Sequence, residues 1–128
     1  MPKILIIDDE DDIRLLYRKE LEFNGYQTVA ASTEDQAKVM FLQGGIDLVI
    51  LDIKLTTNDG GIDLLRWIRE TESTMPIILN SAYPHYKADF GTWLANEYLV
   101  KSGDLKELTT AVAKLLKQKA EQPEESKS

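Results

Sequence analysis

The sequence predicts an α/β fold: a five-stranded parallel sheet, doubly wound as a (βα)5 sandwich with helices on both faces. Short apolar runs alternate with amphipathic helical patterns, as expected when each strand is followed by a crossover helix. The runs are nearly continuous, which is typical of parallel strands covered on both faces. For five such units the commonest strand order is 2-1-3-4-5. We expect one domain over residues 1–119 and a disordered polar tail over 120–128.

Composition narrows the class of protein. The chain has 15 basic and 22 acidic residues, a net charge of −7, which argues against direct binding to nucleic acid. It contains no apolar run long enough to span a bilayer and no signal-peptide pattern, so we expect no membrane partner. The absence of cysteine fits a cytoplasmic location.

The N-terminal part of the chain predicts the first strand and helix. Residues 3–7 form an apolar, β-branched run that ends in five consecutive acids at 8–12. The later acids suit the N-cap and first turn of a helix, where negative charge is favourable. Asn24-Gly25 supplies a stop signal. The helix is expected to bury an apolar face made of Ile13, Leu16, Tyr17 and Leu21.

The next strand, helix and strand follow at short intervals. Residues 26–30 predict a short strand, and the polar residues 32–35 open a helix that Gly44-Gly45 closes. The run 48–51 contains no polar residue and is the strongest buried-strand pattern in the chain; it ends in Asp52. The apolar face of the helix consists of Ala37, Met40 and Phe41.

A turn-rich loop over 56–61 leads into the second half of the chain. It precedes a helix over 62–72, with Leu65 and Ile68 facing inward. A buried strand is then predicted over 77–79.

The C-terminal part predicts two helices around one strand. Residues 83–96 contain both proline and glycine and predict a short or irregular helix, and residues 98–100 predict a strand. Asp104 with Glu107 forms a capping-box pattern at the start of the final helix. The apolar positions of that helix are Leu105, Leu108, Val112, Leu115 and Leu116.

Polar residues follow four of the predicted strands and could form one reactive site. The carboxyl ends of parallel strands meet at one edge, where open α/β sheets bind ligands. The residues at those ends are Asp8, Asp9, Asp52, Ser81 and Lys101. Three adjacent carboxylates repel one another and need a hard cation, and oxygen ligands suit Mg²⁺.

The chemistry of these residue types points to phosphoryl transfer. A carboxylate beside Mg²⁺ can attack a phosphoryl group and form an acyl phosphate. Lys101 would supply a positive charge and Ser81 a hydroxyl donor to the phosphoryl oxygens, and the small Ala82 would leave room for them. Singly, the acids could be helix or turn caps, Ser81 a turn residue and Lys101 a solvated side chain. Their shared position at successive strand ends favours the site.

With these motifs in place, the chain resembles the receiver domains of two-component response regulators. The resemblance extends from residue 3 to about residue 116. Its motifs are Ile7-Asp8-Asp9-Glu10, Leu51-Asp52-Ile53-Lys54-Leu55, Pro76-Ile77-Ile78-Leu79-Asn80-Ser81-Ala82 and Tyr98-Leu99-Val100-Lys101.

The resemblance implies a role for each site residue. Asp52 would be the phosphoacceptor, Asp9 would bind Mg²⁺ directly and Asp8 would bind it through water. The backbone carbonyl of Lys54 would be a further metal ligand. The resemblance also implies that Lys101 binds the phosphoryl group. It implies that Ser81 and Tyr98 form the switch pair: the Ser81 hydroxyl moves toward the phosphoryl group and the Tyr98 ring changes rotamer.

The function implied by the resemblance is a phosphorylation-controlled signalling switch. A histidine kinase, a phosphotransfer protein or a small phosphodonor would supply the phosphoryl group. The chain would catalyse only its own phosphorylation and dephosphorylation, and would not be an enzyme in the ordinary sense. Because it ends soon after the last predicted helix, we expect a single-domain regulator that signals by contact with a downstream protein of unknown identity; the alternative is a piece of a longer regulator. The resemblance also leaves room for a homodimer.

The sequence departs from the family pattern at four places. Thr56 stands where the family often has proline, and the loop that follows is one residue longer than usual. Ser102 replaces the usual proline with a cis peptide bond, and a cis bond before serine would cost about 2.5–4 kcal/mol. The segment 82–98 is about two residues short.

Three other functions compete with this interpretation. The four departures keep open a receiver fold that serves as a phosphorylation-independent adaptor, although the complete set of acids, hydroxyl and lysine argues against it. An aspartyl-phosphate phosphatase of the haloacid-dehalogenase type would need a second aspartate where Lys54 stands. A flavin mononucleotide binder would need a phosphate-binding loop after the first strand, where the five acids would repel a phosphate.

Overall fold

The computed structural model describes residues 1–53, 60–82 and 94–121. Within them, the elements in chain order are β1 (Lys3–Ile7), α1 (Asp11–Phe23), β2 (Gln27–Ala31), α2 (Glu34–Leu42), β3 (Leu48–Asp52), α3 (Gly60–Thr71), β4 (Ile77–Ser81), β5 (Glu97–Val100) and α4 (Lys106–Glu121). The five strands form one parallel sheet in the order β2-β1-β3-β4-β5, which confirms the predicted topology. None of the helices in this part of the chain has the length and apolar character that crossing a bilayer requires.

Helices cover both faces of the sheet, as a doubly wound fold requires. Helices α2 and α3 pack on one face over a core of Leu5, Ile7, Ala31, Ala37, Phe41, Ile46, Val49, Leu51, Ile53, Leu64, Leu65, Ile68, Met75, Ile77 and Leu79. Helices α1 and α4 pack on the other over Ile4, Ile6, Tyr17, Leu21, Leu48, Ile50, Ile78, Leu108, Ala111, Val112 and Leu115. Because β3 and β4 are buried along their whole length, their sequences show no apolar–polar alternation.

Side-chain hydrogen bonds cap the starts of α2 and α4, whereas Glu10 at the N-cap of α1 makes no such bond and the predicted acids that follow it lie in the first turn. The Thr33 hydroxyl accepts a hydrogen bond from the backbone N–H of Gln36 at the start of α2. The Asp104 carboxylate accepts one from the N–H of Lys106, the first residue of α4. Gly25 follows α1 with a φ of 94°, a conformation that side chains disfavour.

Some element boundaries and one buried position differ from expectation. Leu16 is 43% exposed, so its predicted place in the buried face is wrong. The helix contacts the sheet along a single row of residues, Ile13, Tyr17 and Leu21. Leu16 lies to one side of that row, because successive helical residues are about 100° apart around the axis. Helix α4 extends to Glu121, into the predicted tail.

Several predictions fall on residues outside those that the structure describes. They are most of the loop over 56–61, the larger part of the irregular helix over 83–96, and the tail over 122–128. The site prediction for the Lys54 carbonyl also lies there.

Arg69 in α3 links the helix to the sheet edge. Its guanidinium donates hydrogen bonds to the carbonyls of Ser73 at 3.0 Å, Met75 at 2.7 Å and Leu94 at 2.7 and 3.0 Å. It also lies 3.3 Å from Oδ1 of Asn96, which accepts a 2.8 Å hydrogen bond from the N–H of Ile77 in β4. One side chain therefore joins the end of α3 to the chain that enters β4 and β5. Burial lowers the pKa of Arg69 from its ordinary value, and the charge of Glu72 opposes that shift.

Candidate active site

The carboxyl ends of four strands bring acidic, hydroxyl and ammonium groups to one edge of the sheet. Asp8 follows β1, Asp52 and Ser81 are the last residues of β3 and β4, and Lys101 follows β5. The Lys101 ammonium lies 2.8 Å from Oδ2 of Asp8 and 3.3 Å from Oδ2 of Asp52. One cation therefore contacts two carboxylates from different strands.

The acids at this edge form a cluster that fits a divalent cation. Asp8, Asp9 and Asp52 each place a carboxylate oxygen within 4.8 Å of the others. Asp8 and Asp52 are 2% and 5% exposed, whereas Asp9 is open to solvent. Hard oxygen donors with an open side suit Mg²⁺, which keeps part of its water shell.

Hydrogen bonds fix the loop that carries the acid pair. Oδ1 of Asp8 accepts a 2.9 Å hydrogen bond from the N–H of Glu10, and its backbone N–H donates to the carbonyl of Ala31 at 3.1 Å. The Arg14 guanidinium donates to the Asp8 carbonyl at 2.7 Å and also pairs with the carboxylate of Asp11. These contacts orient the Asp8 carboxylate before any ligand binds.

Lys101 stays charged at this site because its partners outweigh its burial. Burial by itself lowers the pKa of the ammonium; the hydrogen bond to Asp8 and the charge of Asp52 raise it. The net effect is a pKa above the ordinary value of 10.5. The ammonium therefore offsets the repulsion between the two buried carboxylates.

The remaining predicted site residues lie around this centre. Ser81 is fully buried, and its carbonyl accepts a 2.6 Å hydrogen bond from the N–H of Lys101. Ala82 is exposed just beyond it, and Tyr98 is partly buried against the core under α2 and α3. The peptide bond between Lys101 and Ser102 is trans, so Ser102 does not adopt the cis bond that the family usually has before proline at this position.

A polar pair that the sequence did not indicate lies beside the site. Nδ2 of Asn80 donates a hydrogen bond to the Tyr17 hydroxyl at 2.5 Å, and both residues are 3% exposed. Sequence patterns placed Tyr17 in an apolar face and Asn80 at a strand end. The available signal was an amide directly after the apolar residues 77–79 of a buried strand, since a buried amide needs a partner.

Comparison with known proteins agrees with this geometry. The family model of the response regulator receiver domain matches residues 4–113. The structure is similar to that of the response regulator TrrA from Thermotoga maritima in complex with Mg²⁺-BeF, with a TM-score of 0.85 and 41% identity over 90% of this chain and 99% of that one. A similar match, with a TM-score of 0.84, 41% identity and coverage of 91% and 99%, comes from the complex of TrrA with the histidine kinase ThkA.

Curated sequences give the same family. The uncharacterized transcriptional regulatory protein YkoG of Bacillus subtilis is 31% identical over 95% of this chain, and CpxR, a transcriptional regulatory protein of Escherichia coli, is 31% identical over 91%. The chain belongs to the response regulator receiver domain family. It spans 54% of the length of YkoG and 50% of the length of CpxR.

Proposed function

We propose that this chain is a phosphorylation-controlled switch in which Asp52 accepts a phosphoryl group. The observation that carries the proposal is the Lys101 ammonium, which lies within 3.3 Å of Asp52 and 2.8 Å of Asp8 inside a cluster of three carboxylates. A buried carboxylate with a fixed cation and a candidate metal site beside it suits phosphoryl transfer, where catalysis is mostly positioning and charge neutralisation.

In the proposed reaction, a carboxylate oxygen of Asp52 attacks the phosphorus of the donor. A P–O bond to Asp52 forms, and the bond from phosphorus to the donor breaks, its electron pair leaving with the donor. The donor is a phosphohistidine of a kinase or phosphotransfer protein, or a small acyl phosphate. Water attack on the same phosphorus returns the carboxylate and releases inorganic phosphate.

The chain's own residues bind the developing charge. Lys101 turns from the carboxylates to a phosphoryl oxygen, and the Ser81 hydroxyl donates to another. Asp8, Asp9 and Asp52 would hold Mg²⁺, together with the carbonyl of Lys54. When bound, that ion neutralises charge on the phosphoryl oxygens.

The phosphoryl group then biases the conformation of the domain. A charged group that binds one arrangement of Ser81 and Tyr98 more tightly than another shifts the population toward it. We propose that a downstream protein binds the favoured surface in the cytoplasm, and that self-catalysed phosphorylation and hydrolysis set its duration. The Mg²⁺-BeF and histidine-kinase complexes of TrrA, at 41% identity, support both the chemistry and a kinase partner.

Titration with beryllofluoride, which stands in for the phosphoryl group, tests the proposal against the adaptor function. We expect wild-type amide NMR signals near Ser81 and Tyr98 to shift only when both beryllofluoride and Mg²⁺ are present. Asp52→Asn should show no such shift, because beryllium needs the carboxylate oxygen. If the wild-type amide signals do not shift with beryllofluoride and Mg²⁺ together, the phosphorylation-independent adaptor is favoured.

A further inference from the structure

The hydrogen bond between Tyr17 and Asn80 joins two elements that hold the site from different sides. Tyr17 lies in α1, which follows the acid pair, and Asn80 lies in β4, directly before Ser81. The bond is 2.5 Å long and connects residues 63 positions apart. Among residues 1–53, 60–82 and 94–121, it is the one buried side-chain hydrogen bond that links α1 to β4.

Asn80 is in register with the proposed phosphoacceptor. In the β3–β4 pairing Asn80 lies opposite Asp52, and in the β4–β5 pairing it lies opposite Leu99. Strand alternation puts Asn80 and Asp52 on the side of Ile78 and Ile50, which belong to the core under α1 and α4. A change in the position of Asn80 would therefore also move Asp52, its partner in the pairing, and Ser81, the next residue in the strand.

The Tyr17 hydroxyl belongs electrostatically to the same neighbourhood. Burial raises the pKa of Tyr17, the hydrogen bond from Asn80 and the charge of Lys101 lower it, and the charges of Asp8 and Asp52 raise it. The net pKa lies above the ordinary value of 10.0, so the phenol keeps its proton at neutral pH.

A small cavity beside the pair reaches the loop after β5. It has room for about one water molecule, roughly 10 Å³, and its lining includes Tyr17, Asn80, Leu99, Ser102 and Leu105. The pair therefore borders both the strand that ends in Ser81 and the loop that follows Lys101.

We infer that Tyr17 and Asn80 are positioning residues for phosphoryl transfer. Their hydrogen bond holds the end of β4 against α1, and the pairing of Asn80 with Asp52 extends this restraint to the end of β3. The bond thereby sets the positions of Asp52 and Ser81 relative to Lys101. The inference rests on the proposed function. Stability alone does not account for the pair, because an apolar pair of similar shape would be about as stable as a buried hydrogen bond. The directional bond fixes a distance between α1 and β4 that apolar packing would leave adjustable.

Rates of acyl-phosphate formation and loss test the inference when they are set against stability. The variants are Tyr17→Phe, which removes only the hydroxyl, and the double variant Tyr17→Phe/Asn80→Leu, which leaves no unpaired amide. Ile78→Val, on the same strand and the same face, is the matched control. Each is incubated with acetyl phosphate and Mg²⁺, and the acyl phosphate is followed by intact mass alongside thermal unfolding.

We expect Tyr17→Phe to change at least one of the two rates by about tenfold, since sub-ångström misplacement is costly in such reactions. The double variant should recover most of the lost melting temperature and keep the altered rate. The control should lose melting temperature and keep wild-type rates.

Two results would overturn the inference while leaving the proposed function intact. One is that both variants react within about twofold of the wild type, a change too small for a positioning role. The other is that rate and melting temperature recover together in the double variant, which would make the pair structural only. A wild type that forms no acyl phosphate and binds neither Mg²⁺ nor beryllofluoride would instead overturn the proposed function, and this inference with it.

Discussion

The Lys101 ammonium lies 2.8 Å from Oδ2 of Asp8, and this ion pair joins β5 to β1 across the two strands that separate them in the sheet. The same ammonium contacts Asp52, which ends β3. One lysine thus holds the far edge of the sheet to its centre at the reactive end. Its removal should affect both stability and ion binding.

Replacement of Lys101 by methionine is expected to destabilise the fold by about 2 kcal/mol or more, because two nearly buried carboxylates lose their counter-charge. Mg²⁺ should restore more stability to this variant than to the wild type, since a cation then takes over that charge. Urea unfolding with and without Mg²⁺ measures both effects.

Lys114→Met is the matched control for that experiment. Lys114 pairs with Glu97 at the surface, and an exposed pair contributes less than about 1 kcal/mol. A Lys101→Met variant that unfolds like Lys114→Met, with no extra Mg²⁺ response, would contradict the role of Lys101.

Alkaline pH should weaken the fold through the same lysine and through Tyr17. Each has a folded-state pKa raised above its ordinary value, 10.5 for lysine and 10.0 for tyrosine. A raised pKa means that the folded state holds the proton more tightly. Its stabilisation is present below the ordinary value and is lost as pH rises through the folded value.

Urea midpoints measured across that alkaline range check this expectation. Lys101→Met and Tyr17→Phe should each show a shallower decline with pH than the wild type. Identical slopes in all three proteins would show that neither group is linked to folding.

Arg69→Ala is expected to destabilise the fold by about 2–4 kcal/mol, because several part-buried carbonyls lose their donor. Arg69→Lys should recover little of the lost stability. The planar guanidinium reaches several carbonyls at once, whereas the lysine ammonium is a compact single group. Thermal unfolding of both variants provides the measurement.

Arg66→Ala, on the same helix, serves as the control because Arg66 pairs with Asp63 at the surface, at 3.9 Å. We expect it to change stability by less than about 1 kcal/mol. Equal losses at the two arginines would argue against a special role for Arg69.

Asp9→Asn should weaken Mg²⁺ binding without weakening the fold, because Asp9 is the exposed member of the acid cluster. Titration calorimetry gives the affinity and thermal unfolding without metal gives the stability. Asp12→Asn, an exposed acid in the first turn of α1, controls for the general loss of negative charge. Similar affinities in the two variants would remove Asp9 from the metal site.

The strand ends were predictable because buried parallel strands have continuous apolar sequences, and a polar residue marks where each of them ends. Asp8, Asp52 and Lys101 each follow such a run directly, so the sheet order alone brings them together. In the structure the Lys101 ammonium contacts the carboxylates of both Asp8 and Asp52.

Hydrogen bonds between polar side chains and distant parts of the chain were not predictable in the same way. The partner of Asn80 is a tyrosine that sequence patterns assign to an apolar face, and the carbonyl partners of Arg69 carry no sequence signal. The exposure of Leu16 depends on how narrowly α1 contacts the sheet, which periodicity does not specify.

Phosphorylation of Asp52 is tested most directly by intact mass after incubation with acetyl phosphate, for wild type and Asp52→Asn, with and without Mg²⁺. We expect one added phosphoryl group on the wild type, lost in the variant and lost when Mg²⁺ is removed. A phosphoryl group that persists on Asp52→Asn would contradict the assignment of the phosphoacceptor. A wild type that gains no mass and binds neither Mg²⁺ nor beryllofluoride would contradict the switch itself.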